Sequence, residues 1–234
     1  MNSIFKFKQF EIDQQNCAMK VNTDGVLLGA LAGHQSPAKI LDIGTGTGVI
    51  ALMLAQRFQA AFIDAVEIDE LAAATAKKNF QLSAFHKRLS IHHVAIEEYH
   101  SDEYFDLIVS NPPFFVNDLK NDEYRKGIAR HAGVDFFDML IEKTATLLKP
   151  EGKLWLVLPV KQANEVIVKA GRFNLELCER INLHSDKSKA TFRQIICLCK
   201  NRQPLIETDF YIYQSLKQHT AAYKALLKDF FLAF

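Results

Sequence analysis

With 234 residues, 49% of them apolar and 24% charged, the chain has the balance of one large globular unit whose core needs no staples. A net charge of +1 gives no global positive field, so a nucleic-acid partner would have to be met by a local patch. No apolar run approaches the roughly 18 residues of a membrane span. The four cysteines, Cys17, Cys178, Cys197 and Cys199, lack the spacing of a zinc site or a redox pair. With no secretory signal ahead of them, they are expected to be reduced, small hydrophobic residues of a cytoplasmic protein that holds no metal.

Residues 1–16 read as short extended pieces in which Phe5, Phe7 and Phe10 alternate with Lys6 and Lys8. That alternation suits an amphipathic first strand with solvated lysines; the sharper alternative is an aromatic, basic edge that meets nucleic acid. Thr23 or Asp24 is expected to cap a helix through Val26 to Leu31 that Gly33 ends. From Lys39 onward, strands are expected at 39–43, 61–67, 89–94, 104–110, 152–158, 174–183 and 191–199. Helices are expected between them at 47–57, 69–82, 134–148 and 160–170. Runs such as Leu107-Ile108-Val109 and Leu154-Trp155-Leu156-Val157-Leu158 suit strands covered on both faces. The alternation implies an α/β fold with a doubly wound, mostly parallel, seven-stranded sheet. The last two strands have no helix between them and so should form an antiparallel hairpin. The tail from Thr208 carries a short apolar strand and a helix from Thr220. One domain is expected, with an N-terminal extension (1–37), a catalytic core (38–200) and a C-terminal strand and helix (201–234).

The first strand-to-helix junction reads Asp42-Ile43-Gly44-Thr45-Gly46-Thr47-Gly48. In an open parallel sheet, ligands sit beyond the carboxyl ends of the strands. Glycines there let a ligand approach the backbone, and free amides of a helix beginning near Thr47 can hold a carboxylate. The spacing is G-x-G-x-G, not the G-x-G-x-x-G of pyrophosphate-binding folds, and with Asp42 before it suits methionine and adenosine moieties better than a dinucleotide. Asp42 can bond a ligand amine or complement a cationic ligand; turn-forming chemistry is its plainer role. Glu67, about 20 residues past the glycines, can accept from both hydroxyls of a ribose, or it can merely cap the next helix. Asp69 looks like that helix's N-cap.

The strand at 104–110 runs into Asn111-Pro112-Pro113-Phe114. An aryl amine is a poor nucleophile because its lone pair is delocalised into the ring. The Asn111 side-chain carbonyl and the Pro112 backbone carbonyl can each accept one of its N–H groups, drawing charge onto nitrogen as it turns tetrahedral. The prolines fix the backbone that presents these acceptors, and Phe114 offers a face on which a flat base stacks. A base in a duplex cannot enter such a pocket, so the target is flipped out or single-stranded, which favours an exposed loop of a structured RNA.

These motifs resemble those of the class I S-adenosylmethionine-dependent methyltransferases that carry an Asn-Pro-Pro-aromatic signature, whose sheet is Rossmann-like. More narrowly, the chain resembles the bacterial valine-tRNA adenine-N6 methyltransferases, which modify the adenine just after the anticodon. The likeness covers Phe5 to Phe10, Cys17 to Gly29, the glycine loop, Asn111 to Phe114, Ala129-Arg130-His131 and Tyr223 to Phe231. It implies S-adenosyl-L-methionine as cofactor, held by Asp24, Gly25, Asp42, Gly44, Gly46, Gly48, Glu67 and Asn111. Asp24 and Gly25 would cover its methionine end. It implies tRNA as the partner; the sequence leaves the oligomeric state open, with a monomer slightly favoured. In related enzymes an Asp at the end of the strand around Ile91 to Val94 reads the cofactor adenine; here Ala95 stands there, with Glu97 and Glu98 just beyond, and that contact is unassigned. Lys6, Lys8 and Lys20, with Lys120, Arg125, Lys126, Arg130 and His131 in the loop after the tetrapeptide, are the candidate RNA contacts. Lys187, Lys189 and Arg193 form a second basic cluster. His92 and His93 are expected as surface residues at a strand end.

Other readings share this chemistry. Protein glutamine-N5 methyltransferases use the same tetrapeptide but carry an additional helical N-terminal domain, for which the residues before Lys39 leave no room. An rRNA guanine-N2 methyltransferase is chemically close. A DNA adenine methyltransferase needs a target-reading domain, and a non-catalytic RNA-binding module would have no need of an intact Asn111 or glycine loop.

Overall fold

Short apolar runs and amphipathic stretches fold here as their periods dictate. The computed structural model describes residues 3–15, 17, 19–113 and 136–234. Two short paired strands, β1 (Ile4–Lys6) and β2 (Glu11–Asp13), open the chain and lead to helix α1 (Thr23–Leu31). Then come β3 (Lys39–Ile43), α2 (Val49–Arg57), β4 (Phe62–Glu67), α3 (Glu70–Leu82), β5 (Leu89–His93) and β6 (Phe105–Ser110). Beyond the tetrapeptide lie α4 (Phe136–Leu147), β7 (Leu148–Leu158), α5 (Val160–Ala170), β8 (Glu176–His184) and β9 (Arg193–Cys199). The tail holds β10 (Ile206–Tyr211), β11 (Tyr213–Ser215), β12 (Gln218–His219) and α6 (Ala221–Leu227).

Eight strands form the central sheet in the order β10-β8-β9-β7-β6-β3-β4-β5. β3, β4, β5, β6 and β7 pair in parallel, and β9 lies antiparallel between β7 and β8. The expected hairpin is therefore present, with its second strand inserted against the core. The pleat sends alternate residues to opposite faces. Leu107, Val109, Trp155 and Val157 pack with α1 and α2, whereas Ile108, Leu154, Leu156 and Leu158 pack with α4 and α5. Both faces are covered, which is why these strands read as unbroken apolar runs.

Three local expectations change. Helix α1 is capped by Asn22, whose side chain accepts from the Gly25 amide at 2.9 Å, and neither Thr23 nor Asp24 caps it. Its C-cap is Ala32; Gly33 lies beyond and lends its carbonyl to the Trp155 indole at 3.0 Å. The sheet also gains an eighth strand, because β10 joins the edge in parallel with β8. Its side chains are mostly exposed, and Glu207 and Asp209 are tied to Arg180, Asn182 and His184 of β8. A strand with acidic residues and no buried face carries little periodic signal, and such charges blunt a sheet edge. Among the described residues no helix is long and apolar enough to cross a membrane.

Candidate functional site

The carboxyl ends of β3, β4 and β6 lie side by side, and the turns that leave these three strands build the candidate site. After β3 the chain turns through Gly44, Gly46 and Gly48, all at positive φ (69°, 57° and 84°). At Gly44 and Gly46 no atom lies within 4 Å of where a Cβ would stand, so this stretch of backbone borders open space into which a ligand can come close. Gly48 is different. A Cβ there would lie 2.5 Å from the Phe80 ring of α3, so this glycine serves close packing of helix on loop, not ligand access. Helix α2 starts at Val49 with left-handed Gly48 as its cap, two residues later than expected from Thr47.

Asp42 is wholly buried beneath this loop. Its Oδ2 accepts from the Thr45 hydroxyl at 2.6 Å and from the Ala51 amide at 3.1 Å. The carboxyl thus braces the turn from below, the turn-forming role expected of it, through one of its two oxygens. Its Oδ1 is buried with no hydrogen-bond partner. Burial pushes its pKa up to about 7, and the nearby Glu67 charge pushes the same way.

Glu67 ends β4, is buried, and uses both oxygens on backbone: Oε2 accepts from the Gly46 amide at 2.8 Å and Oε1 from the Asp69 amide at 3.0 Å. Burial, the largest influence, holds its carboxyl above the ordinary range. Each oxygen keeps a further lone pair, so ribose hydroxyls remain within its chemistry. Asp69 is the N-cap expected, accepting from the Ala72 amide at 2.7 Å.

Asn111 comes directly after β6, whose last residue, Ser110, is buried and donates to the Ile43 carbonyl at 2.8 Å, locking the ends of β6 and β3 together. Among the described residues the Asn111 Oδ1 is buried without a hydrogen-bond partner. A buried acceptor left unmatched is costly, and an arriving N–H would relieve it. A Cβ on Gly25 would stand 3.8 Å from Asn111 Nδ2, so the start of α1 lies against the acceptor amide. Asp24, one residue earlier, forms an ion pair of 2.9 Å with Arg193. Pro112 is buried in the same turn. Phe114, Lys120, Arg125, Lys126, Arg130 and His131 lie outside the described residues.

Several of the candidate RNA contacts have partners within the chain. Lys6 pairs with Glu11 at 2.8 Å across the opening hairpin. Lys8 donates to the carbonyls of Lys228 (2.5 Å) and Phe234 (2.7 Å) and so ties the two ends of the chain together. Phe7 and Phe10 are buried core residues, not an aromatic edge. Arg193 is the partner of Asp24. His92 lies near Asp64 and stacks edge-on to Tyr99, while His93 contacts the Ile68 carbonyl. Ala95 caps the short 3-10 turn Ile96–Glu98.

Sequence reasoning missed Asn79. This buried α3 side chain donates to the carbonyls of Thr47 (2.8 Å) and Asp13 (3.0 Å), and its Oδ1 accepts from the Asp13 amide at 2.9 Å. It thus pins both the glycine loop and β2. The available signal was an asparagine in the apolar stripe formed by Ala72, Ala73, Ala76 and Phe80.

The methyltransferase small domain family matches residues 22–182. A relative from Pedobacter heparinus named tRNA1(Val) (adenine(37)-N6)-methyltransferase is 56% identical over 234 residues, covering 100% of both chains. A relative of the same name from Dyadobacter fermentans is 40% identical, covering 100% of this chain and 99% of its own. A solved structure of a predicted O-methyltransferase from Agrobacterium tumefaciens superposes with a TM-score of 0.70 at 18% identity, over 88% of this chain and 96% of that one, a likeness of Rossmann-like fold alone. With the cleft geometry and relatives matched end to end, the chain belongs to the methyltransferase small-domain family and, within it, to the tRNA1(Val) (adenine(37)-N6)-methyltransferases.

Proposed function

We propose that this chain methylates the N6 of the adenine next to the anticodon in valine tRNA, with S-adenosylmethionine as methyl donor. The observation that carries this reading is the buried Oδ1 of Asn111, unpartnered among the described residues and fixed at the end of β6 beside the glycine-loop cleft. The residues present fit the donor: Gly44 and Gly46 leave open space against the loop, and the buried carboxyl of Asp42 beneath it suits a cationic ligand. When bound, S-adenosylmethionine supplies a methyl group on a positively charged sulfur.

Glu67, at the end of the neighbouring strand, would accept from ribose hydroxyls while its bonds to the backbone hold the loop in shape. Asn111 Oδ1 and the Pro112 carbonyl take the two N–H groups of the adenine amine. As the nitrogen lone pair forms the new N–C bond, these acceptors stabilise the positive charge that grows on nitrogen. The donor would keep the electrons of the bond to its methyl group and leave as a neutral thioether, and the amine proton would pass to solvent afterwards, so no general base has to act before attack. Ser110, bonded to Ile43, keeps the acceptor from drifting, which is where positioning contributes to rate. Action on tRNA would place this work in the cytoplasm.

The test is tritiated S-adenosylmethionine offered to unmodified tRNA, rRNA and DNA with nucleoside analysis, using wild type and Asn111→Ala. N6-methyladenosine in tRNA alone is expected from wild type. Asn111→Ala should lose transfer by roughly 100-fold or more, the scale of losing one preorganised transition-state contact, while still binding the cofactor. Label in 2-methylguanosine or in protein would overturn the reading.

A further inference from the structure

We propose that a groove beside the acceptor asparagine holds one nucleotide flanking the target adenine, with its base stacked on Phe192. The groove lies between the start of α1, the β8–β9 hairpin and the corner from β10 to β11, and it rests on the RNA substrate proposed above. Its volume is about 370 Å³, and its walls include Thr23, Asp24, Ser185, Phe192 and Tyr213, with Ile212 as its buried floor. That volume is near the lower end of the ~300–1,000 Å³ usual for small-ligand sites and suits a single nucleotide.

Phe192 is 37% exposed although it adjoins the buried strand β9. Its backbone is fixed, because its amide donates to the Leu183 carbonyl at 3.0 Å. Arg193 donates to the Phe192 carbonyl at 3.0 Å, places its guanidinium 5.8 Å from the ring centre and binds Asp24 on the facing helix. The ring is thus held as a wall. Tyr213, which also lines the groove, stacks on His219 (4.8 Å, 23°), and His219 stacks on Tyr223 (4.5 Å, 9°), so that ring is backed by a pile of rings.

Two aromatic rings and the buried Ile212 in one groove suit a nucleobase, which stacks on aromatic faces. The Thr23 and Ser185 hydroxyls and the Asp24 carboxylate can bond its polar edge, and the exposed Lys187 and Lys189 on the hairpin turn supply charge for phosphate. Position decides which nucleotide this is. Asp24 precedes Gly25, which lies against Asn111 Nδ2, so the groove begins one residue from the acceptor amide, within reach of the adjacent nucleotide.

The experiment is steady-state methylation of unmodified valine tRNA by wild type, Phe192→Ala and Phe192→Trp, with cofactor affinity measured by calorimetry. Phe192→Ala should raise KM for tRNA roughly ten-fold or more, the worth of one lost stacked base. It should change kcat far less and leave cofactor affinity intact, and Phe192→Trp should restore KM. A tRNA with 4-thiouridine beside the target adenine should cross-link to residues 185–193 or to Tyr213 in the wild-type enzyme, a readout that does not depend on a variant folding. An unchanged KM in Phe192→Ala, an equal loss of cofactor affinity, failure of tryptophan to rescue, or cross-links only elsewhere would each overturn the subsite. Wild type that methylates tRNA while Phe192→Ala keeps its KM sinks the subsite alone; wild type that methylates no tRNA sinks the substrate reading and the subsite together.

Discussion

Asp42 sits without exposure beneath the glycine loop, with one oxygen bonded to Thr45 and Ala51 and the other unmatched. Burial raises its pKa from 3.8 to about 7. Between those values the folded chain holds a proton that the unfolded chain releases, so this group's contribution to stability falls as pH rises through the window. A positively charged ligand on the other side of the loop favours the ionised form. Cofactor binding should therefore expel a proton below pH 7, and affinity should weaken several-fold from pH 8 to pH 6. Asp42→Asn, which copies the protonated form, should bind with little pH dependence. Calorimetric titration in buffers of different ionisation enthalpy measures the released proton directly, and a wild-type affinity flat across that range would refute the coupling. The positions of Asp42, Glu67 and Asn111 at the glycine loop and the strand ends were legible in the sequence because spacing from such a loop is a local property. The partners of Lys6, Lys8 and Arg193 were not, because a charge does not announce its partner: Lys8 bonds residues more than 200 positions away.

The glycine loop is held by an element that the motif does not contain. Asn79 of α3 spends its amide on the Thr47 carbonyl, ahead of α2, and on the backbone amide and carbonyl of Asp13 in β2. Removing it would orphan the buried Thr47 carbonyl and the half-buried backbone groups of Asp13, at a cost of about 1–3 kcal/mol. Asn79→Ala should thus lower the melting temperature by roughly 2–10 °C for a chain of this size and weaken cofactor affinity, since the loop loses its outer support. Thermal melting with and without S-adenosylmethionine checks both; a variant that melts and binds like wild type would show the loop to be held by Asp42 and Glu67 alone. The parallel strands and their helices were readable because burial on both faces leaves apolar runs of fixed length. The cap of α1 and the place of β10 were not: capping turned on which of three adjacent polar residues faces the Gly25 amide, and β10 pairs through its backbone while its side chains stay wet.

Across the whole molecule, the first and last segments of the chain form one unit that supports the start of α1. The Lys8 amide donates to the Phe230 carbonyl at 2.8 Å, Phe7 bridges Phe231, and the rings of Phe5, Phe7 and Phe231 pack together. Gln56 of α2 reaches the Asp229 carbonyl at 2.8 Å, while Tyr223, Leu227 and Phe230 enter the same core as Val26, Leu27 and Leu28. That shared core carries α1, and α1 carries Gly25 to the acceptor amide. Loosening the tail should therefore be felt at the site before the sheet melts. Phe230→Ala removes a ring that is only 4% exposed and should cost about 3–5 kcal/mol, enough to lower the melting temperature by roughly 6–20 °C. Hydrogen exchange should rise first in residues 3–13 and 23–31 while β3, β6 and β7 stay protected, and KM for the cofactor should rise at temperatures where the sheet is intact. Uniform loss of protection across the sheet would mean that the tail stabilises the fold as a whole and has no particular hold on the site.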